Sequence, residues 1–285
     1  MSKTALVTGV NGYIGSHTAK ALYDAGFKVT GVDIEDSPNA KPVRKYLTHY
    51  DIHDAALWVG RYDVVVHCAG YISVAESMTN PAKYYDTNLH KTMKVLKNVD
   101  CDHFIFASTA GAFDPISPYA KSKVAAEDVI KQMAKNYTIF RFFNVAGSGG
   151  EFRQIGESTH IIRVAAEVAA GKREKMVIFG DDYPTRDGTC IRDYIHVVDL
   201  ADAICNAALN TPENKDYECL GSGKGFTNAE VCDIMVQCTN NFKIEYGPRR
   251  EGDPAELCVD NKSKYLETKR DLKDMCESAY QMELK

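Results

Sequence analysis

Six short apolar runs alternate with helix-length stretches through the first half of the chain. They are "TALVT" (4–8), "KVTGVD" (28–33), "YLTHYD" (46–51), "YDVVVHCAG" (62–70), "HFIFAS" (103–108) and "TIFRFFN" (138–144). Neighbouring parallel strands need crossovers of a dozen or more residues, usually helical, so this alternation predicts a parallel sheet covered on both faces. Helices are expected near 12–25, 54–60, 76–98 and 118–135. After "VAGSGG" (145–150) the alternation lapses, and a Gly/Ser stretch of this kind marks a change of lobe. The first lobe is therefore placed at 1–147 and the second at 148–285. The second is expected to hold helices near 158–171, 199–209 and 227–238, with short strands near 176–179, 217–220 and 243–246. "YIHVVDLADAI" (194–204) is apolar enough that about 190–205 is expected to pack back on the first lobe.

The first crossover carries the strongest local signal. Gly9, Gly12 and Gly15 follow the first strand and open a helix. Glycines there allow a tight turn and close approach to a pyrophosphate, whose charge then sits at a helix N-terminus. Asp33 ends the next strand, 18 positions after Gly15. A carboxylate there accepts both hydroxyls of an adenosine ribose and repels a 2′-phosphate, which points to NAD rather than NADP. The plainer reading is a polar residue at a strand-end turn. Asp51 and Ile52 end the third strand, where an adenine ring would lie. Cys68, Ala69 and Gly70 end the fourth, small enough to admit a cofactor backbone. The expected fold is α/β, a Rossmann-type doubly wound parallel sheet with a smaller α/β substrate lobe.

Composition removes other classes. The net charge is -5 and the basic residues are scattered, which argues against nucleic acid. No apolar run approaches membrane-spanning length. Nine cysteines form no C-x-x-C pair and no close His/Cys group, so reduced thiols in the cytoplasm are expected, with no metal site.

"SPYAKSK" (117–123) places Tyr119 and Lys123 one helical turn apart, on one face. The spacing alone is weak, since Tyr265 and Lys269 repeat it without the same setting. The first pair follows the fifth strand, whose end carries Ser108 and Thr109 at the carboxyl edge, where ligands bind in open α/β sheets. A phenol of pKa ~10 becomes a base near pH 7 only with roughly 4 kcal/mol of help. A lysine ammonium about 6 Å away contributes on the order of 3 kcal/mol at an effective dielectric of ~20. A second cation is needed, and the nicotinamide ring of oxidised NAD is one.

With "VTGVNGYIGSHTAKAL", "SPYAKSK", "RFFNVAG", "IFGDDYPTRDGTCIRDYIHVVDLADAI" (178–204) and "PRREGDPAELCVD" (248–260), nearly the whole chain resembles the extended short-chain dehydrogenase/reductases, in their UDP-glucose 4-epimerase branch. The resemblance implies an NAD-dependent enzyme that inverts C4 of a UDP-hexose. It implies Tyr119 as base, Lys123 as the residue that tunes it and holds the nicotinamide ribose, and Thr109 as a hydrogen-bond partner of the reacting sugar oxygen. Tyr13, Ile14, Asn88 and Ser108 join the expected cofactor contacts. For the UDP-sugar it implies Arg192 and Arg250 at the diphosphate, Asn144 at a phosphate, Val177 and Phe179 along the uracil, and Tyr194 near the nucleotide. Asp253 is expected at a ribose, His160 in a nucleotide-contacting stretch, and Leu257 beside the C2 group of the sugar. Singly, these have plain readings as surface charges or core aromatics, and Asp199 is read as a helix N-cap. A homodimer is expected through the helices at 76–98 and 118–135. Departures are a spacing of only ten positions from Thr109 to Tyr119, and Ile72 where a lysine is common. Three rival activities share the fold. A 4,6-dehydratase would need an acid pair after Thr109, where this chain has Ala110 and Gly111. A dehydrogenase would exchange its cofactor at each turnover. A silent NAD-binding sensor would keep the glycines but have no need of Tyr119, Lys123 and both arginines.

Overall fold

The computed structural model describes residues 2–156, 159–210, 216–239, 242–250, 253–259 and 263–285. In chain order the elements begin with β1 (Thr4–Thr8), α1 (Tyr13–Asp24), β2 (Lys28–Asp33), α2 (Ala40–Val43), β3 (His49–Ile52), β4 (Gly60–His67), α3 (Val74–Thr79), α4 (Pro81–Tyr85), α5 (Thr92–Asn98), β5 (Val99–Thr109), α6 (Pro118–Met133), β6 (Tyr137–Phe142) and β7 (Asn144–Ala146). They continue with α7 (Ile161–Ala169), β8 (Met176–Phe179), β9 (Ile191–His196), α8 (Val197–Leu209), β10 (Asp216–Leu220), β11 (Gly225–Thr227), α9 (Asn228–Cys238), β12 (Ile244–Gly247), β13 (Glu256–Leu257) and α10 (Leu272–Glu283).

The chain forms two compact units. One comprises Met1–Phe142 with Ala201–Cys219, the other Phe143–Leu200 with Leu220–Lys285. The segment that returns to the first unit thus begins at Ala201. The first unit is built on a seven-stranded sheet in the order β10-β6-β5-β4-β1-β2-β3. From β6 to β3 every pairing is parallel, and the order reverses between β1 and β4, the switch point of a doubly wound sheet. Leu6, Val65, Phe104, Phe106 and Ile139 come from its strands, and with Val95, Ala126 and Ile130 from α5 and α6 they make a continuous core. The strand near 217–220 belongs to this sheet as its edge, not to the second lobe as expected. Edge pairing joins residues far apart in sequence, and a five-residue run carries no record of its partner.

The long helix expected over 76–98 is broken. Asn80 leaves helical geometry ahead of Pro81, as the residue before a proline tends to do. A single wide π-turn then occupies 86–91, turning Asn88 inward where it is 1% exposed. The helix expected at 54–60 is only a 3₁₀ turn over 55–57, capped by the Asp54 carboxylate accepting from the Ala56 N–H, and β4 has already begun at Gly60.

In the second unit β9 lies between β11 and β13, with β7 also pairing β9, and β8 pairs β12. Ile162, Ala165 and Ala166 of α7 share a core with Val231 and Met235 of α9 and Leu272, Met275 and Cys276 of α10. Asp199 is not an N-cap. It sits in the first turn of α8, fully buried, and accepts from the backbone N–H groups of Lys269 and Arg270 and from the Arg270 guanidinium. Among the described residues no helix is long and apolar enough to cross a membrane.

Candidate active site

The glycine turn closes on itself. Gly9 adopts φ +68°, and a Cβ there would fall 2.8 Å from the Ala69 backbone nitrogen. A Cβ at Gly15 would lie 2.1 Å from the Gly9 carbonyl oxygen, so the start of α1 packs against the turn with no room for a side chain. Gly12 flanks the same carbonyl, and Tyr13 and Ile14 begin the helix. This is the cradle a pyrophosphate needs: bare backbone at a helix start. Asp33 meets the turn from β2, its carboxylate accepting from the Asn11 N–H at 2.8 Å and the Ile34 N–H at 2.8 Å. Burial raises the Asp33 carboxyl above the ordinary carboxylate value, and those N–H groups pull it back. Register sets Ile52 beside Asp33 and Asp51 beside Val32, so both β3 residues stand at the expected adenine end. These residues fit an NAD.

At the switch point, Lys123 is 3% exposed and donates to the Ala107 carbonyl at 2.9 Å. Its Nζ lies over the Phe106 ring and 3.3 Å from where a Cβ at Gly70 would be. Burial pushes the ammonium down to about 8, opposed by the carboxylate of Glu127. Cys68 is a protonated thiol, pushed up to about 12 by burial. Tyr119 is partly buried, edge-on to Tyr84, and hydrogen-bonded to Thr109. Burial raises the phenol, and the Thr109 contact lowers it. The N-cap Ser117 and Pro118 at the first position start α6 in register to present Tyr119 and Lys123 together.

Two expected cofactor contacts have their side chains turned into the fold. Ser108 is buried and donates to Glu127 Oε1 at 2.5 Å, while Arg141 clasps the same carboxylate at 3.0 and 2.7 Å. Asn88 accepts from the Tyr71 N–H at 2.9 Å and donates to the Tyr71 carbonyl and to Ser122 Oγ. Ser122 in turn donates to the Tyr119 carbonyl at 2.7 Å. Behind Asn88, Thr92 links to His67 and His67 to Thr8. Sequence reasoning missed Glu127, Arg141 and His67. The one available signal was a charged or polar residue inside an otherwise apolar run or helix face.

The second unit gathers most of its candidates around β9. Arg192 donates to the Ile191 carbonyl at 2.8 Å and lies 3.4 Å from the Asp253 carboxylate. Leu257 is its register partner on β13. Asn144 pairs with Tyr194 across β7 and β9 and donates to the Asp193 carbonyl at 2.9 Å. Tyr194 itself is sealed in the core with a hydroxyl that has no hydrogen-bond partner among the described residues. The Arg250 guanidinium lies 4.0 Å from the Phe179 ring, on the β8 strand that also carries Val177. His160 stands apart as the N-cap of α7, its side chain making no capping bond and its ring pushed down by burial. In the segment 248–260, Glu251, Gly252 and Asp260 lie outside the described residues.

Comparison with known proteins bears on the family and the fold. Residues 5–219 match the NAD dependent epimerase/dehydratase family. A UDP-glucose 4-epimerase of Halalkalibacterium halodurans is 36% identical over 88% of this chain and 85% of its own length. One from Rhizobium meliloti is 35% identical over 96% and 95%. Among solved structures, the UDP-glucose-4-epimerase of Stenotrophomonas maltophila with bound NAD and formylated UDP-arabinopyranose superposes with a TM-score of 0.90 at 27% identity, covering 99% of this chain and 98% of that one. The UDP-Glc/GlcNAc 4-epimerase of Campylobacter jejuni gives 0.83 at 33% identity, covering 99% of each. The chain belongs to the NAD dependent epimerase/dehydratase family, and within it to the UDP-glucose 4-epimerases.

Proposed function

We propose that the protein interconverts UDP-glucose and UDP-galactose by inverting C4 of the hexose. The observation that carries this reading is Tyr119 hydrogen-bonded to Thr109 on the helix face that also buries the Lys123 ammonium, beside a glycine cradle and Asp33. Bound NAD supplies a reversible hydride acceptor, the chemistry that a transient 4-keto sugar requires. Tyr119 Oη takes the 4-hydroxyl proton and gives it back. Thr109 orients that oxygen and favours the phenolate. Lys123, held by the Ala107 carbonyl, contributes a positive charge that offsets the burial of the phenol. The turn after Thr109 carries Ala110, Gly111 and Ala112, with no acid to expel a 6-hydroxyl, which favours epimerase over dehydratase.

For the nucleotide, Arg192 and Arg250 are assigned to the diphosphate, because guanidinium forks match phosphate oxygens. Val177 and Phe179 line the uracil. Asp253 takes a ribose hydroxyl and Asn144 a phosphate, while Tyr194, sealed in the core, serves through the strand pairing that sets Asn144 beside it, and His160 stays outside the group. The Arg192–Asp253 contact and the Arg250–Phe179 stack support the grouping. Two further parts of the reading are a cytoplasmic location and a homodimer. Val74, Met78, Met93 and Met133, exposed on α3, α5 and α6, support the dimer. A single monomeric species by light scattering at micromolar concentration would remove it. The deciding experiment is incubation of the purified protein with UDP-galactose and no added NAD. UDP-glucose should form, and failure to form it even with NAD supplied would overturn the reading.

A further inference from the structure

The glycine turn carries one residue whose contacts exceed what a turn needs. Asn11 is 1% exposed although it lies in a loop. Its N–H donates to Asp33 Oδ2 at 2.8 Å, and its carbonyl accepts from Ser37 Oγ at 2.8 Å. Its amide Nδ2 donates to the Glu35 carbonyl at 2.6 Å and to the Tyr50 hydroxyl at 3.0 Å. One side chain thus joins the β1–α1 turn to the loop after β2 and to β3. The orientation of the amide is determined, since a flip would set its oxygen against the Glu35 carbonyl. Asn11 Oδ1, buried, has no hydrogen-bond partner among the described residues, so the amide is held for its donors alone.

The same network has a cation at its outer end. Arg44, exposed, hydrogen-bonds to Tyr50 and lies over its ring, 4.4 Å from the centroid. A 2′-phosphate on the adenosine ribose would meet two opposed charges here, Asp33 and Arg44. The outcome depends on which stands nearer, and Asn11 ties the positions of both through its backbone and its amide.

We infer that Asn11 is a positioning residue for cofactor discrimination: its amide ties the glycine turn to Glu35 and Tyr50, which holds Asp33 at the ribose and keeps Arg44 out of reach of a 2′-phosphate. This rests on the NAD site proposed above. The competing account is that Asn11 only stiffens the turn, in which case its loss weakens every dinucleotide alike.

The test is equilibrium titration of the full-length protein, freed of bound nucleotide, with NADH and with NADPH, followed by nicotinamide fluorescence. The wild-type chain should prefer NADH. Asn11→Ala should narrow that preference by about tenfold, the effect of a lost hydrogen bond to a charge-bearing loop, chiefly through weaker NADH binding. Adding Arg44→Gln to Asn11→Ala should weaken NADPH and restore part of the preference. Tyr50→Phe removes one acceptor of the Asn11 amide without changing the shape of the ring. It should narrow the preference about threefold, and it decides the matter if Asn11→Ala does not fold. If Asn11→Ala and Tyr50→Phe weaken NADH and NADPH equally, the inference is overturned. Asp33→Asn, run in parallel, separates the two ways of failing. If it abolishes the preference while the Asn11 and Tyr50 variants do not, the NAD site stands and only the role of Asn11 falls. If it too leaves the preference intact, the assignment of Asp33 falls, and the inference with it.

Discussion

The candidate residues of the first unit are bonded to one another through the interior of the protein, while those of the second unit touch in looser pairs. Tyr119 is tied through Ser122, Asn88, Thr92 and His67 to Thr8 on the central strand. Lys123 is enclosed, and a wholly buried Glu127 joins Ser108 and Arg141, register partners on β5 and β6, to the same helix. In the second unit, Arg250 is exposed and rests on an aromatic face, and Arg192 meets Asp253 at 3.4 Å, too long for a strong charge-assisted bond. On the proposed function, the fold itself sets the geometry at the residues assigned to proton transfer. At those assigned to the diphosphate, it leaves cations with room to adjust.

The contrast is broken most severely at Glu127. Glu127→Ala leaves Arg141 mostly buried and without its carboxylate, and losing one partner of a buried pair typically costs about 3–5 kcal/mol. Chemical denaturation should show a loss of that order. A loss under about 1 kcal/mol would mean that the clamp behaves like a surface pair, and the contrast between the units would dissolve. Next in size is Tyr119→Phe, which removes the proposed proton acceptor but keeps the ring against Tyr84. Turnover should fall about a hundredfold or more, with UDP binding retained. Near-normal turnover would take the base role from Tyr119. In the same site, Lys123→Met removes the cation proposed to favour the phenolate. On that proposal the phenol pKa should rise, and the activity–pH curve should shift to higher pH. A shift toward lower pH would contradict the proposed electrostatics.

The second unit should respond differently. Arg192→Met should raise KM for the UDP-sugar about ten- to fiftyfold while kcat changes little, as expected of a charge that grips both ground and transition states. A fall in kcat with unchanged KM would place Arg192 with the first unit's machinery, and the comparison would need redrawing.

What the sequence displayed of all this follows the range of the forces involved. The strands, the glycine turn, Asp33 and the Tyr119/Lys123 spacing are local patterns with local causes, and they are visible in a single pass. The break at Pro81 was equally local, and the apolar periodicity of 76–98 hid it. The π-turn at 86–91 was not legible, because it is stabilised by what Asn88 reaches: Tyr71 and Ser122, 17 and 34 residues away. His67 and Glu127 look like ordinary polar interruptions until strands β1 and β6 supply their partners. His67 illustrates the cost of such a site. Burial pushes its ring down to about 3, so the folded protein keeps it neutral while the unfolded chain binds a proton near pH 6.5. The folded-state value is the lower one, so stability should fall as pH drops from about 6.5 toward 3.

The smallest expected effect concerns sugar choice, where the looseness of the second unit has its clearest consequence. Leu257, partly buried on β13, is the register partner of Arg192 on β9. If Arg192 grips the diphosphate, a side chain at 257 lies close to what the diphosphate carries, and its bulk limits the space beside the C2 group of the sugar. Leucine is intermediate in volume and flexible, so UDP-glucose and UDP-galactose should be handled, with measurable activity on the N-acetylated pair. Leu257→Tyr should suppress the N-acetylated substrates about tenfold more than the plain ones. Tenfold corresponds to about 1.4 kcal/mol, within the ~1–3 kcal/mol that a change of pocket shape usually discriminates. The competing account is that Leu257 packs the short strand beside β9 and does nothing else. Equal loss on both sugar pairs would favour packing. A selective loss, with thermal stability unchanged, would show that the second unit filters substrates by shape at the strand where it holds their charge.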